Sequence, residues 1–210
     1  MAAVRREVAD GARELARRDR VLRRMLARHG PPDLGRGRPR RGHFAQLARM
    51  ICYQQLAGSA ARAIHGRFAA LYDGAPTPAA VAATPPEVLR AAGLSAAKAA
   101  SVLDLARKVD QGLVRLDRVA RLDDDEVVRE LTAVRGIGEW TAQMFLMFQL
   151  GRLDVWPTLD LGVRTGYARM FGLATAPTPR ELGPEGERFR PYRSLVAWWC
   201  WRVVDTQVPG

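Results

Sequence analysis

Residues 131–145 read Leu131-Thr132-Ala-Val134-Arg-Gly136-Ile137-Gly138-Glu-Trp140-Thr141-Ala-Gln-Met144-Phe145. The apolar spacing on both sides of the glycines is helical. One helix therefore ends, the chain turns through Gly-Ile-Gly, and a second helix starts at once. Two glycines permit positive φ and let a ligand come close to the backbone. Ile137 between them can point inward and lock the turn. The amides of Gly138 and the residues after it then face outward at a helix N-terminus, which makes an anion site. A duplex phosphate fits such a site without any base being read. A Gly-x-Gly turn also serves as a plain helix–helix connection; the flanking helices and the net charge favour the phosphate reading.

Twenty residues on comes Leu153-Asp154-Val-Trp156-Pro157-Thr-Leu159-Asp160-Leu-Gly162-Val-Arg164. Pro157 breaks the chain and Asp160 stands where the next helix begins. Alone, an Asp there is an N-cap; after a hairpin at this spacing it gains weight as a functional carboxylate. Asp154 reads as a structural cap of the loop. Outward from these stretches, helical periodicity recurs and strand signals are nearly absent, so the expected class is all-α. Helices are expected over 3–17, from the N-cap Asp19 to Gly30, over 44–52, from Ser59 to Asp73-Gly74, over 85–92, from Ser95, over 123–131, 140–150, 160–171 and 191–205. Residues 31–42 are a Gly/Pro/Arg connection, and 174–188 hold about one helical turn.

Among the 210 residues, hydrophobic side chains make up 48% and charged ones 26%, which excludes a disordered or fibrous chain. No apolar run approaches the ~20 residues of a membrane span. The arginine-rich first twenty residues hold no apolar signal core, so a cytoplasmic, nucleoid-associated protein is expected. Cys52 and Cys200 cannot build a disulfide framework or a four-cysteine cluster. His29, His43 and His65 are scattered, with no metal-ligand spacing. The net charge is +11, with 33 basic residues, 31 of them Arg, against 22 acids. Coding bias explains Arg over Lys but not base over acid. Residues 1–41 alone carry 13 Arg and 5 acids. A polyanion, above all nucleic acid, is the partner this surface suits.

The hairpin, followed by Pro157 to Asp160, resembles the hallmark of the helix-hairpin-helix (HhH-GPD) DNA glycosylase superfamily. Within it, the chain looks like the alkylated-base, AlkA-like 3-methyladenine glycosylase II branch. Three more segments carry the likeness: Phe44 to Ala61 with Gln54-Gln55-Leu56, Gly93-Leu94-Ser95-Ala-Ala-Lys98, and Arg190 to Trp201. The match runs from about residue 19 to 205. The resemblance implies two helical lobes with the active cleft between them, one lobe about 44–165 and the other 1–42 plus 166–210. Larger members carry an extra N-terminal β-domain; a compact form without it is expected here.

A base inside a duplex hides its glycosidic bond, so a glycosylase must flip the nucleotide out. By resemblance Gln55 is the wedge that fills the gap, with Leu56 beside it; otherwise Gln54 and Gln55 cap their helix. Gly136, Ile137, Gly138, Thr141 and Arg164 complete the expected DNA-binding set. Bond cleavage builds positive charge on the sugar, which the ionised Asp160 would stabilise while orienting water. At its ordinary pKa of ~3.9 an Asp needs no shift to be charged. Alkylated purines are cationic and leave easily, so their pocket needs aromatic faces more than an acid. Trp140 and Trp201 match the family's pocket aromatics, with Tyr53 a further candidate. Met144 stands where the family often has Tyr, which bears on substrate range. Trp198, Trp199 and Trp201 also suit a packed core helix.

Bifunctional relatives place a Lys at the position of Trp140 and form a Schiff base. Here Lys98 and Lys108 lie in other helices, so a monofunctional enzyme without AP-lyase activity is expected, leaving an abasic site in base excision repair. No iron–sulfur cluster or other cofactor is expected. The backbone carbonyls of Thr132, Val134 and Ile137 match those that hold a monovalent cation in relatives. The expected partner is double-stranded DNA with damaged bases, 3-methyladenine and 7-methylguanine above all, acted on by a monomer. Two alternatives stay open: a glycosylase for deaminated or mismatched bases, and a non-catalytic hairpin DNA-binding protein, which would have no use for Asp160.

Overall fold

The computed structural model describes residues 2–34, 42–56 and 58–204. The connection at 31–42 and the arginines Arg36, Arg38, Arg40 and Arg41 thus fall largely outside the described residues. Every regular element among those described is helical, and no strand is present among them. The chain begins with α1 (Ala2–Arg18), α2 (Arg20–His29), α3 (His43–Tyr53) and α4 (Gly58–Ala70). It continues through α5 (Pro78–Ala82), α6 (Pro86–Ala91), α7 (Ala96–Asp110) and α8 (Asp124–Thr132). The last helices are α9 (Glu139–Met144), α10 (Leu161–Phe171), α11 (Pro179–Glu185) and α12 (Arg193–Val203). Short 3₁₀ turns cover Val119–Arg121 and Glu187–Phe189, and α9 widens into a π-helical turn over Phe145–Leu150.

Two compact units emerge, one of residues 39–142 and one of residues 1–38 with 143–210. Residues 143–165, expected with the middle lobe, group with the chain ends instead. Side-chain chemistry explains this. Ser194 Oγ, wholly buried on α12, donates to Arg152 O at 2.8 Å and accepts from Val155 N–H at 2.9 Å. Trp156 donates its indole N–H to Leu182 O at 3.0 Å and meets Tyr167 and Phe189 edge-on.

In the middle unit α7 is the central helix. Ser95 caps it by accepting from Lys98 N–H at 3.2 Å, and Ala99, Val102, Leu103, Leu105 and Ala106 are buried along it. Helices α3, α5 and α6 pack on α7. Asp123 and Glu126 start α8 with a reciprocal capping box. In the other unit α10 packs closely on α12, and α2 and α1 also touch α12. The close approach of α10 needs Gly166, where a Cβ would stand 2.5 Å from Cys200 Cα. Trp199 is core, its N–H donated to Gly30 O at 3.1 Å, just past the end of α2. Asp19 caps α2 as expected, accepting from Val21 N–H at 2.6 Å. Residues 174–188 hold more helix than their Pro and Gly content predicts, because Thr178 and Glu181 form a second capping box with Pro179 in the first turn.

Candidate functional site

The hairpin forms as expected, with one correction. Gly136 alone uses positive φ, at 76°; Gly138 does not. The two glycines therefore serve different ends. At Gly136 a Cβ would collide with the Ser101 hydroxyl of α7, so this glycine seats the turn against the core. At Gly138 a Cβ would meet nothing within 4 Å, so its outer side is open. Ile137 is 3% exposed and locks the turn from within. The α9 start follows immediately, its ladder beginning with Ala142 N–H donating to Gly138 O at 3.1 Å. The N–H groups of the residues between are the first-turn donors that give a helix N-terminus its affinity for anions.

Three side chains of α7 brace the hairpin, and sequence reasoning had not placed any of them there. Besides Ser101, Asp104 accepts from Arg135 N–H at 2.7 Å and from Lys108 Nζ at 2.8 Å. Lys108 Nζ also donates to Ala133 O at 2.6 Å. Burial pushes the Asp104 carboxyl up, but the bonds and charges from Lys108 and Arg135 outweigh it, and the group is held below its ordinary value. The spacing of Ser101, Asp104 and Lys108 is the available signal, since residues three, four and seven apart share one helix face.

The expected wedge lies on the same unit, in the turn after α3. Gln55 takes a left-handed conformation, φ 56°, uncommon for a residue with a Cβ. Its side chain and that of Leu56 are exposed. Gln54 is the C-cap of α3, its backbone N–H donating to Met50 O at 3.2 Å, and its side chain also spans to the hairpin: Nε2 donates to Gly136 O at 3.0 Å and to Thr141 Oγ1 at 3.2 Å. Thr141, expected on DNA, is buried and turned toward Gln54. The Gly93 to Lys98 segment also resolves physically. Gly93 has φ 100°, Ser95 starts α7, and Lys98 donates to Cys52 O at 2.9 Å, in the last turn of α3. Tyr53, partly buried, carries the Arg49 guanidinium 4.3 Å from its ring centroid. Trp140 is half-exposed on the first turn of α9.

The remaining candidates lie on the other unit. Asp160 is the N-cap of α10, and it is more than a cap. Its Oδ1 accepts from Val163 N–H at 2.8 Å and from the Trp201 indole N–H at 2.9 Å. Two donors on one oxygen fix the carboxylate's orientation. Trp201 is fully buried, packed beside Phe148 of the π-helical turn at a centroid distance of 6.0 Å. Met144 is buried as well. Arg164, expected on DNA, donates to Pro177 O at 3.3 Å and its Nε is buried without a partner among the described residues. Asp154 caps the loop as expected, holding Arg193 Nε at 2.8 Å and Arg190 at 2.8 Å. Three of the five α1 arginines pair within the helix: Arg13 with Asp10, and Arg17 and Arg18 with the shared Glu14. No cluster of His, Cys, Asp and Glu suited to a metal occurs among the described residues, and no helix among them is long and apolar enough to cross a membrane.

Comparison with known proteins adds independent findings. A family model described as HhH-GPD superfamily base excision DNA repair protein matches residues 48–191. The chain is 33% identical to DNA-3-methyladenine glycosylase 1 of Schizosaccharomyces pombe over 188 residues, covering 88% of this chain and 82% of that protein. It is 26% identical to DNA-3-methyladenine glycosylase 2 of Escherichia coli, covering 78% of this chain and 58% of that longer protein. The structure of the S. pombe 3-methyladenine DNA glycosylase in complex with abasic DNA superposes with a TM-score of 0.81 at 32% identity, covering 92% of this chain and 95% of that one.

Proposed function

The chain belongs to the HhH-GPD superfamily of base excision DNA repair proteins, and from that premise we propose that it is a monofunctional DNA glycosylase for alkylated purines. It flips 3-methyladenine or 7-methylguanine out of duplex DNA and hydrolyses the N-glycosidic bond, leaving an abasic site. The observation that carries this reading is Asp160, a carboxylate aimed by Val163 N–H and the Trp201 indole. A simple N-cap has no need of a second, indole donor from another helix.

The chemistry follows from that group. The bond from C1′ to the base nitrogen breaks with its electron pair going to the base. A cationic alkylated base departs neutral, so no general acid is required. Positive charge gathers on the sugar, and Asp160 stabilises it. Water then adds to C1′, its proton passing to the carboxylate or to solvent. The hairpin amides from Gly138 onward take a backbone phosphate, and Gln55 with Leu56 fills the gap in the stack. Trp140, half-exposed on α9, supplies an electron-rich face for a cationic ring.

Strand cleavage through a Schiff base would need a free amine. Lys98 and Lys108, the only lysines, are committed to Cys52 O and to Asp104 with Ala133 O. The donor set of Thr132, Val134 and Ile137 carbonyls suits a hard monovalent cation; Val134 O accepts Ile137 N–H at 3.1 Å, and a carbonyl oxygen has two lone pairs. Such a cation would add positive charge beside the phosphate and take no part in bond cleavage.

The test is base release from methylated duplex DNA by wild type and by Asp160→Asn. Wild type is expected to release 3-methyladenine or 7-methylguanine, with strand breaks only after alkali. The variant is expected to bind DNA and release nothing. Equal release by both proteins would remove Asp160 from the reaction. No release by either, with binding kept, would leave a DNA-binding protein.

A further inference from the structure

We propose that Gln54 is a positioning residue that holds the wedge turn in register with the phosphate-binding hairpin, and that Lys98 anchors the same turn from its other side. The proposal rests on the assignment of Gln55 as wedge. Three observations carry it. First, the Gln54 amide spans 82 residues of sequence to donate to Gly136 O at 3.0 Å and to Thr141 Oγ1 at 3.2 Å. Both partners belong to the hairpin itself, the first to its positive-φ glycine and the second to the opening turn of α9. Second, the next residue, Gln55, is held at φ 56°. A residue with a Cβ stays in that region only where its surroundings over-determine it, and such strain gathers where a side chain must be aimed. Third, Lys98 Nζ donates to Cys52 O at 2.9 Å, closing the end of α3 two residues before Gln54.

The turn is thus tied at both ends, to α7 through Lys98 and to the hairpin through Gln54. The hairpin is in turn tied to α7 by Asp104 and Lys108, with Gly136 seated close against Ser101. The result is a closed frame of three elements within one unit. Its consequence is mechanical. A phosphate seated on the hairpin fixes the duplex relative to the wedge, because the wedge cannot drift from the hairpin without breaking the Gln54 bonds. Binding energy gained at the backbone is then available to drive the side chain of Gln55 into the stack.

Gln54→Met keeps the length of the side chain and loses its donor. Gln54→Glu keeps length and polarity but turns an acceptor toward Gly136 O. Lys98→Met frees the α3 side alone. The first readout is hydrogen exchange of the free protein, over peptides covering residues 53–58 and 133–138. Gln54→Met and Gln54→Glu are expected to accelerate exchange in both peptides together, about tenfold, whereas Lys98→Met accelerates only the first. Acceleration in one peptide, or in neither, with an unchanged melting curve would overturn the frame.

The second readout is base flipping, followed by 2-aminopurine fluorescence beside a tetrahydrofuran site in duplex DNA. Both Gln54 variants are expected to bind undamaged duplex within about twofold of wild type, yet to flip at least tenfold more slowly. Equal loss of binding and flipping would mark Gln54 as a phosphate ligand or fold residue rather than a positioning one. Failure of wild type to release any methylated base would overturn the proposed function while leaving the exchange result to decide the frame.

Discussion

The two glycines of the hairpin should fail in opposite ways when each receives a methyl group. Gly136 sits at φ 76°, and a Cβ there would overlap Ser101 Oγ and lie 3.1 Å from Ser101 Cβ. The left-handed conformation alone costs an L-residue about 1–2 kcal/mol. Overpacking against a buried neighbour adds about 1–3 kcal/mol. Ser101 cannot easily turn away, since its hydroxyl donates to Ala97 O at 2.9 Å within α7. Gly136→Ala should therefore lose about 3 kcal/mol, a fall in Tm of roughly 6–12 °C for a chain of this size. Gly138 has no positive φ and nothing within 4 Å of its missing Cβ. Gly138→Ala should melt within about 0.5 kcal/mol of wild type. Its methyl group, however, stands among the amides offered to phosphate, so duplex affinity should fall about tenfold. Calorimetric melting and fluorescence anisotropy with an abasic-site duplex, run on both variants, measure the two effects. In the Ser101→Ala background the penalty of Gly136→Ala should shrink by about half, because only the φ cost and the 3.1 Å contact persist. A Gly136→Ala protein that melts with wild type, or a Gly138→Ala protein that binds DNA unchanged, would refute the division of labour between the glycines.

Other consequences follow from the same contacts. Gly166→Ala would drive a methyl group to within 2.5 Å of Cys200 Cα, so α10 and α12 must separate; a loss of about 3 kcal/mol is expected by chemical denaturation, outweighing the roughly 1 kcal/mol that Ala gains over Gly in a helix. Trp201→Phe keeps a ring but removes the N–H that Asp160 accepts at 2.9 Å; single-turnover base release should slow about 10- to 100-fold, in line with a charged hydrogen bond of about 1.5–3 kcal/mol, and an unchanged rate would mean the indole merely packs. Asp104 is held below its ordinary value in the folded state, so its contribution is full above the unfolded pKa of ~3.9 and is lost as pH falls through the lower folded value. The gap in Tm between wild type and Asp104→Asn should therefore be constant near neutrality and close on acidification below about pH 4; a gap that widens in acid would reverse the sign of the argument.

Residue order alone makes legible the part governed by local chemistry. Helices such as α2, α7 and α8 were legible because Asp19, Ser95 and Asp123 cap them and apolar residues recur at helical spacing. The hairpin was legible for the same reason, since a turn between helices is written in adjacent residues. Asp160 could be placed at a helix start, but not its second donor, because Trp201 arrives from 41 residues away. Which glycine seats the hairpin and which opens it depends on packing. The difference lies in Ser101, a residue whose position depends on how α7 is packed. Packing likewise decided that Gln54 bridges to the hairpin while Gln55 is turned outward, and that Thr141 and Arg164 face protein groups. Residues 143–165 joined the chain-end unit rather than the middle one through Ser194 and Trp156, contacts between segments far apart in sequence. Capping and periodicity act over one or two helical turns and can be read along the chain; side-chain partners across 40 to 80 residues exist only after the helices have packed.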